Sequence, residues 1–145
     1  MRPRNRLPAF VTLTTAALAA ACGSDPTGSI PASPAAGVYT LRTINGSPLP
    51  AVYASTPLVR TVLADTLRLA ANQTYTEVAL TQTAAPGQAA TKVDTVRTNG
   101  TWIDAGSLIT IGNVGTASFS GDTLTLTTAN VQGASGGSVT QVYVK

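Results

Sequence analysis

The chain's single cysteine, Cys22, lies in "LAAACGSDPTG" (residues 18 to 28), at the end of an alanine run. A lone thiol in an exported protein has no intramolecular partner and is a reactive liability unless it is modified. Other groups with chemical reach are few. There is no histidine, so the commonest general base and metal ligand is missing. No serine stands in a G-x-S-x-G setting and no glycine-rich phosphate loop occurs. No D-x-[DN]-x-[DN]-G loop offers calcium its oxygen ligands. Asp65 and Asp122 each precede T-L-x-L and read as strand starts or turn caps. Glu77, Asp94 and Asp104 could supply paired carboxylates for acid–base work, but nothing in their spacing demands it. Solvated strand faces or turns account for them. This inventory argues against an enzyme and implies neither a metal nor a cofactor.

The residues ahead of Cys22 explain its position. Arg2, Arg4 and Arg6 form a basic start, Leu7 to Ala21 is mostly apolar, and Ala19, Ala20 and Ala21 supply small residues at the junction. Residues 1–21 therefore read as a secretory signal peptide. The apolar run is about 15 residues, short of the roughly 20 needed to span a bilayer core. Two kinds of processing fit the same bond. An ordinary signal peptidase could cut after Ala19-Ala20-Ala21 and leave a free cysteine. The stretch also resembles the lipobox of bacterial lipoproteins, in which the cysteine is acylated and becomes the new N-terminus. The family pattern places Leu three residues before the cysteine; here Ala19 holds that place and Leu18 lies one further back. The resemblance implies a palmitate-type lipid on Cys22 and a membrane anchor in the bacterial envelope. Gly23 stands where Asp often retains such proteins at the inner membrane. The implied location is therefore the outer membrane, facing the periplasm or the cell surface.

The whole chain carries 9 Lys and Arg against 6 Asp and Glu. Arg2, Arg4 and Arg6 leave with the signal. Arg42, Arg60, Arg68, Lys92, Arg97 and Lys145 then balance Asp25, Asp65, Glu77, Asp94, Asp104 and Asp122. A neutral mature chain has no positive surface for nucleic acid. Residues 22–36 follow as the Cys22 attachment and a Pro/Ser/Gly-rich tether. Pro26, Pro31 and Pro34 oppose regular structure, and Ile30 is the only large apolar side chain. So little apolar surface cannot offset ordering entropy. At about 3 Å per residue, such a tether would reach roughly 40 Å.

From residue 37 to 145 the texture is all-β. Threonine and valine are abundant, and both favour pleated, half-buried surfaces. Eight strands are expected, at about 38–44, 60–70, 73–83, 91–102, 107–111, 116–120, 122–128 and 138–144. Turn chemistry separates several of them: Asn72-Gln73, Gly112-Asn113, Gly121-Asp122 and the run "QGASGGS". Asn45-Gly46 and Asn99-Gly100 are further turn or bend signals. "TLRLA" at 66–70 and "TLTLT" at 123–127 alternate strictly, so Arg68 should point outward. "DTLRL" at 65–69 returns as "DTLTL" at 122–126, and "NQTY" at 72–75 as "NGTW" at 99–102. These echoes read as hairpins reusing one entry chemistry. Eight strands on mostly short links suggest an antiparallel up-and-down barrel, closed so that no edge remains.

Here the sequence resembles the lipocalin-like domains of small bacterial lipoproteins. The matching pieces are "GVYTLRTINGSPLP" at 37–50, "DTLRLAANQTYTE" at 65–77, "NGTW" at 99–102, "DTLTLT" at 122–127 and the closing "VYVK". Gly37-Val38-Tyr39 stands where true lipocalins have G-x-W, no T-D-Y motif follows, and no C-terminal helix has room. The resemblance implies a small barrel and, more loosely, an apolar ligand. Candidate binding residues come from two places. The proline-stiffened segment 45–59 carries Leu49, Val52 and Tyr53, and could lid a cavity or plug a barrel end. Tyr39, Tyr75 and Trp102 are the large aromatics nearest strand alternation, suited to core packing or a ligand wall. With no charged anchor evident, any ligand should be apolar and weakly specified. The expected protein is thus a monomeric, non-catalytic envelope lipoprotein that holds a small apolar ligand. The alternative is a solid-core structural or protein-interaction module.

Overall fold

Strict alternation sets the facing of the strands. In "TLRLA", Leu67 and Leu69 are buried while Thr66 and Arg68 are exposed, and in "TLTLT" Leu124 and Leu126 are buried. Each fully buried leucine contributes about 1.5–3 kcal/mol, so this pattern leaves little freedom in register. The computed structural model describes residues 32–90, 92–129 and 137–145, which belong to one unit. Cys22, the signal segment, most of the tether and most of the "QGASGGS" turn lie outside the described residues.

The strands are β1 (Gly37–Ile44), β2 (Ser47–Pro48), β3 (Ala51–Ala54), β4 (Val59–Leu69), β5 (Thr74–Ala84), β6 (Val93–Asp104), β7 (Leu108–Ile111), β8 (Gly115–Ser120), β9 (Thr123–Ala129) and β10 (Ser138–Val144). There is no α-helix among the described residues. The sheet runs β1-β10-β9-β8-β7-β6-β5-β4 and closes through β1 on β4, with every pairing antiparallel. This is the expected eight-stranded up-and-down barrel, with strand bounds within a few residues of those read from the sequence.

The segment 45–59 departs from its sequence reading. It is neither lid nor plug but part of the wall. Asn45 and Gly46 both have positive φ, 49° and 79°, and turn the chain back so that β2 pairs with the end of β1. Asn45 is tied down by β10: its N–H donates to the Thr140 carbonyl at 2.7 Å, and its Oδ1 accepts from the Thr140 N–H at 2.8 Å. β3 then pairs with the start of β4. β1 and β4 pair directly only from Gly37–Leu69 to Thr40–Thr66. Beyond that point the two short strands extend the wall toward the mouth. The prolines concealed this pairing, but edge strands tolerate them.

One end of the barrel is packed solid. Tyr39, Leu41, Leu67, Leu69, Tyr75, Trp102, Ile109, Ile111, Leu124 and Leu126 are all buried there. The Trp102 indole N–H donates to the Ala70 carbonyl at 3.0 Å. Tyr75 lies on Gly100, its cross-strand partner; a Cβ on Gly100 would sit 2.8 Å from the Tyr75 ring. Asn99-Gly100 is therefore mid-strand in β6 rather than a bend, and the glycine makes room for an aromatic ring.

The last tether residues also belong to the fold, contrary to the sequence reading. Ala35 is fully buried, and its carbonyl accepts from the Tyr39 hydroxyl at 2.6 Å. Ser33 Oγ donates to Asp104 Oδ2, and the Lys145 ammonium donates to the Pro34 carbonyl at 2.9 Å. Asp104 thus fastens the incoming chain. The polypeptide enters the barrel at its packed end.

The opposite end is uneven. β4, β5 and β6 have 11, 11 and 12 residues, whereas β7 and β8 have 4 and 6. Among the described residues, 93–100 of β6 pair with β5 alone. The tall side therefore stands above the short side.

Candidate functional site

A bulge in β4 creates the unusual interior of the taller half. Register shifts between Val62 and Ala64, so Val62 and Asp65 face the same way although three residues apart. Such bulges re-aim side chains where a wall must bend. Asp65 then continues inward on the same alternation as Leu67 and Leu69, and it is only 2 % exposed. This corrects the strand-start or turn-cap reading of Asp65, which sits in the middle of β4. On β5, Ala79 pairs with Asp65, which makes Glu77 its diagonal neighbour across the ladder. Diagonal neighbours remain within reach of long side chains. Asp65, Tyr143 and Thr98 lie close enough to favour the ionised form of the Glu77 carboxyl. Glu77 is half-buried and lines the interior cavity, which corrects its reading as a solvated strand-face acid.

β10 supplies the third wall of this cluster. The Tyr143 hydroxyl donates to Asp65 Oδ2 at 2.8 Å, and Gln141 Nε2 donates to the Tyr143 oxygen at 3.3 Å. Gln141 and Tyr143 are both buried. Asp65 Oδ1, by contrast, has no donor. Two ionised carboxylates side by side repel each other, which favours keeping a proton on one of them. Burial first, and then the neighbouring charge of Glu77, push the Asp65 carboxyl up to about 7. Burial also raises Glu77. Burial and the charge of Asp65 hold the Tyr143 phenol far above its ordinary value, so it stays a donor.

Over this acid pair opens a cavity of about 420 Å³. That lies within the range of small-molecule sites. Its apolar surface comes from Val62, Ala79, Val96 and Val114, and its polar surface from Tyr53, Arg60, Thr81, Asp94, Thr98 and the acid cluster. Burial raises the Tyr53 phenol, with the Arg60 charge working against that shift. The sequence expectation of a wall with no charged group is thus corrected, since Asp65, Glu77, Asp94 and Arg60 all line the cavity. Arg68 does point outward, as alternation predicts.

Of the candidate ligand residues, Tyr53 lines the cavity. Leu49 is half-buried against the core, and Val52 is 51 % exposed on the outer face. Tyr39, Tyr75 and Trp102 sit in the packed end and line no part of the cavity. Asp65, Glu77, Gln141 and Tyr143 were not among the candidates. Their signal was nonetheless present: Asp65 shares a face with Leu67 and Leu69, and Glu77 shares one with Tyr75.

Comparison of the chain with family models, curated proteins and solved structures gave no match.

Proposed function

We propose that this chain is an exported, lipid-anchored protein of the bacterial envelope whose lipocalin-like barrel binds a small ligand without catalysing a reaction. The observation that carries the reading is the cavity of about 420 Å³ over the Asp65–Glu77 pair. A solid-core module would have large side chains from opposite walls meeting there, as they do at the other end. Val62, Ala79, Val96 and Val114 suit the apolar body of a ligand, and the acid pair suits a polar head. The ligand is therefore amphipathic rather than wholly apolar. The anchor rests on the basic, apolar and Ala-Ala-Ala-Cys lead.

An environment-sensitive apolar dye should bind the folded protein and be displaced by small amphiphiles. Ala79→Phe, which fills the cavity from β5, should weaken dye binding tenfold or more, a loss of about 1.4 kcal/mol. Unchanged binding in that variant would place the dye elsewhere and remove the support for a ligand site. For the anchor, cells fed labelled palmitate should label the wild type and not Cys22→Ala. An unlabelled wild type would replace lipidation with plain secretion.

A further inference from the structure

The floor of the cavity has a chemistry of its own. Asp65 is 98 % removed from solvent by its 2 % exposure, yet one of its oxygens has no donor. Burying an acceptor without a partner costs about 1–3 kcal/mol, more for a charged group. Natural folds carry few such atoms, and each one needs a reason. The groups around it do not supply a cation. Tyr53, Gln141 and Tyr143 are neutral, and among the described residues Arg60 is the one cation lining the cavity. Of the three carboxyl groups lining the cavity, Asp94 is paired with the exposed Lys92 ammonium, whereas Asp65 and Glu77 have no cation beside them in the described residues, so the floor disfavours anions. Among the described residues no third acid, His or Cys joins the pair as a metal-binding set. The unfilled role is that of a compact donor bearing positive charge.

We infer that the Asp65–Glu77 pair is the recognition site for a small organic amine. Its ammonium group would donate to Asp65 Oδ1 and to Glu77, and its apolar body would lie against Val62, Ala79 and Val114. An ammonium carries three donors, enough for both carboxylates. On entry it displaces the proton held by the acid pair, which leaves to solvent while the amine stays protonated. Tyr143 keeps its donation to Asp65 Oδ2 and holds that carboxylate in place. Charge-assisted hydrogen bonds of this kind are about twice as strong as neutral ones, and the dry wall raises their strength further. This inference rests on the ligand-binding reading above and adds the class of ligand to it.

The test uses three probes of equal chain length and different heads: hexylamine, hexanol and hexanoate. Each is titrated calorimetrically into the purified chain carrying Cys22→Ala, which needs no detergent. At about pH 8 hexylamine should bind roughly tenfold to a hundredfold more tightly than hexanol, with hexanoate weakest. Its affinity should fall toward pH 6, where the acid pair holds its proton. Asp65→Asn keeps an acceptor for Tyr143 and should bring hexylamine to within about threefold of hexanol. The apolar dye should still bind this variant, which shows that the cavity is intact. Tightest binding by hexanoate, or an amine preference that survives Asp65→Asn, overturns the amine inference and leaves the cavity reading standing. Binding of the dye but of none of the three probes also overturns it. Failure of dye and probes alike removes both.

Discussion

The barrel is expected to lose stability as pH rises from about 4 to about 7, by on the order of 2–4 kcal/mol. The cause is Asp65. Its ordinary value is 3.8, and burial beside Glu77 raises it to about 7 in the folded state. Between those values the folded state holds a proton that the unfolded chain has released. The folded state binds more protons there, so unfolding becomes easier as pH rises. Below the ordinary value both states are protonated and no penalty exists; above the raised value both are ionised and the full penalty applies. Glu77, raised in the same direction, adds to the slope. Chemical denaturation across this range measures the effect. Asp65→Asn should flatten the curve and be more stable than the wild type at about pH 8, since the amide accepts from Tyr143 without a buried charge. A wild type that gains stability over the same range, or an Asn variant less stable at high pH, would contradict this assignment.

Truncation of Trp102 to Ala should cost about 3–5 kcal/mol, the typical loss for a buried large aromatic. Trp102 is 1 % exposed and reaches the turn after β4 through its bond to the Ala70 carbonyl. The truncation leaves a cavity in the packed end and removes one of two donors to that carbonyl, which keeps the Gln73 N–H. Trp102→Phe should cost less, since most of the volume remains. Urea unfolding followed by far-ultraviolet circular dichroism checks both variants. A loss below about 1 kcal/mol for the alanine variant would mean the side chain is not core.

Period-two alternation made the barrel legible, because the threonine- and valine-rich runs have one apolar face and turn residues between them. Leu67, Leu69, Leu124 and Leu126 could be placed inward from sequence alone. The site was less legible, and the echo of "DTLRL" in "DTLTL" shows why. Asp122 does stand at a turn, before β9 starts at Thr123, and its carbonyl accepts from the Lys145 N–H. Asp65 lies well inside β4, which starts at Val59. The same five-residue frame therefore places one acid in solvent and the other inside. Strand starts fix that difference, and sequence reading places them poorly. The bulge that brings Val62 and Asp65 to one face has no local signature. The bond from Tyr143 to Asp65 joins residues 78 apart and depends on barrel closure. In 45–59, three prolines concealed two short strands that complete the wall.

The central claim is that the barrel is packed at one end and, among the described residues, open at the other over an interacting acid pair. Its most direct test follows the side-chain carboxyl carbons of Asp65 and Glu77 by nuclear magnetic resonance during a pH titration. Both should titrate above their ordinary values, with coupled curves and Asp65 near neutrality, and Glu77→Gln should lower the Asp65 midpoint by removing a like charge. Independent titration of both groups at ordinary carboxylate values would contradict the account, because the two acids would then be solvated and apart.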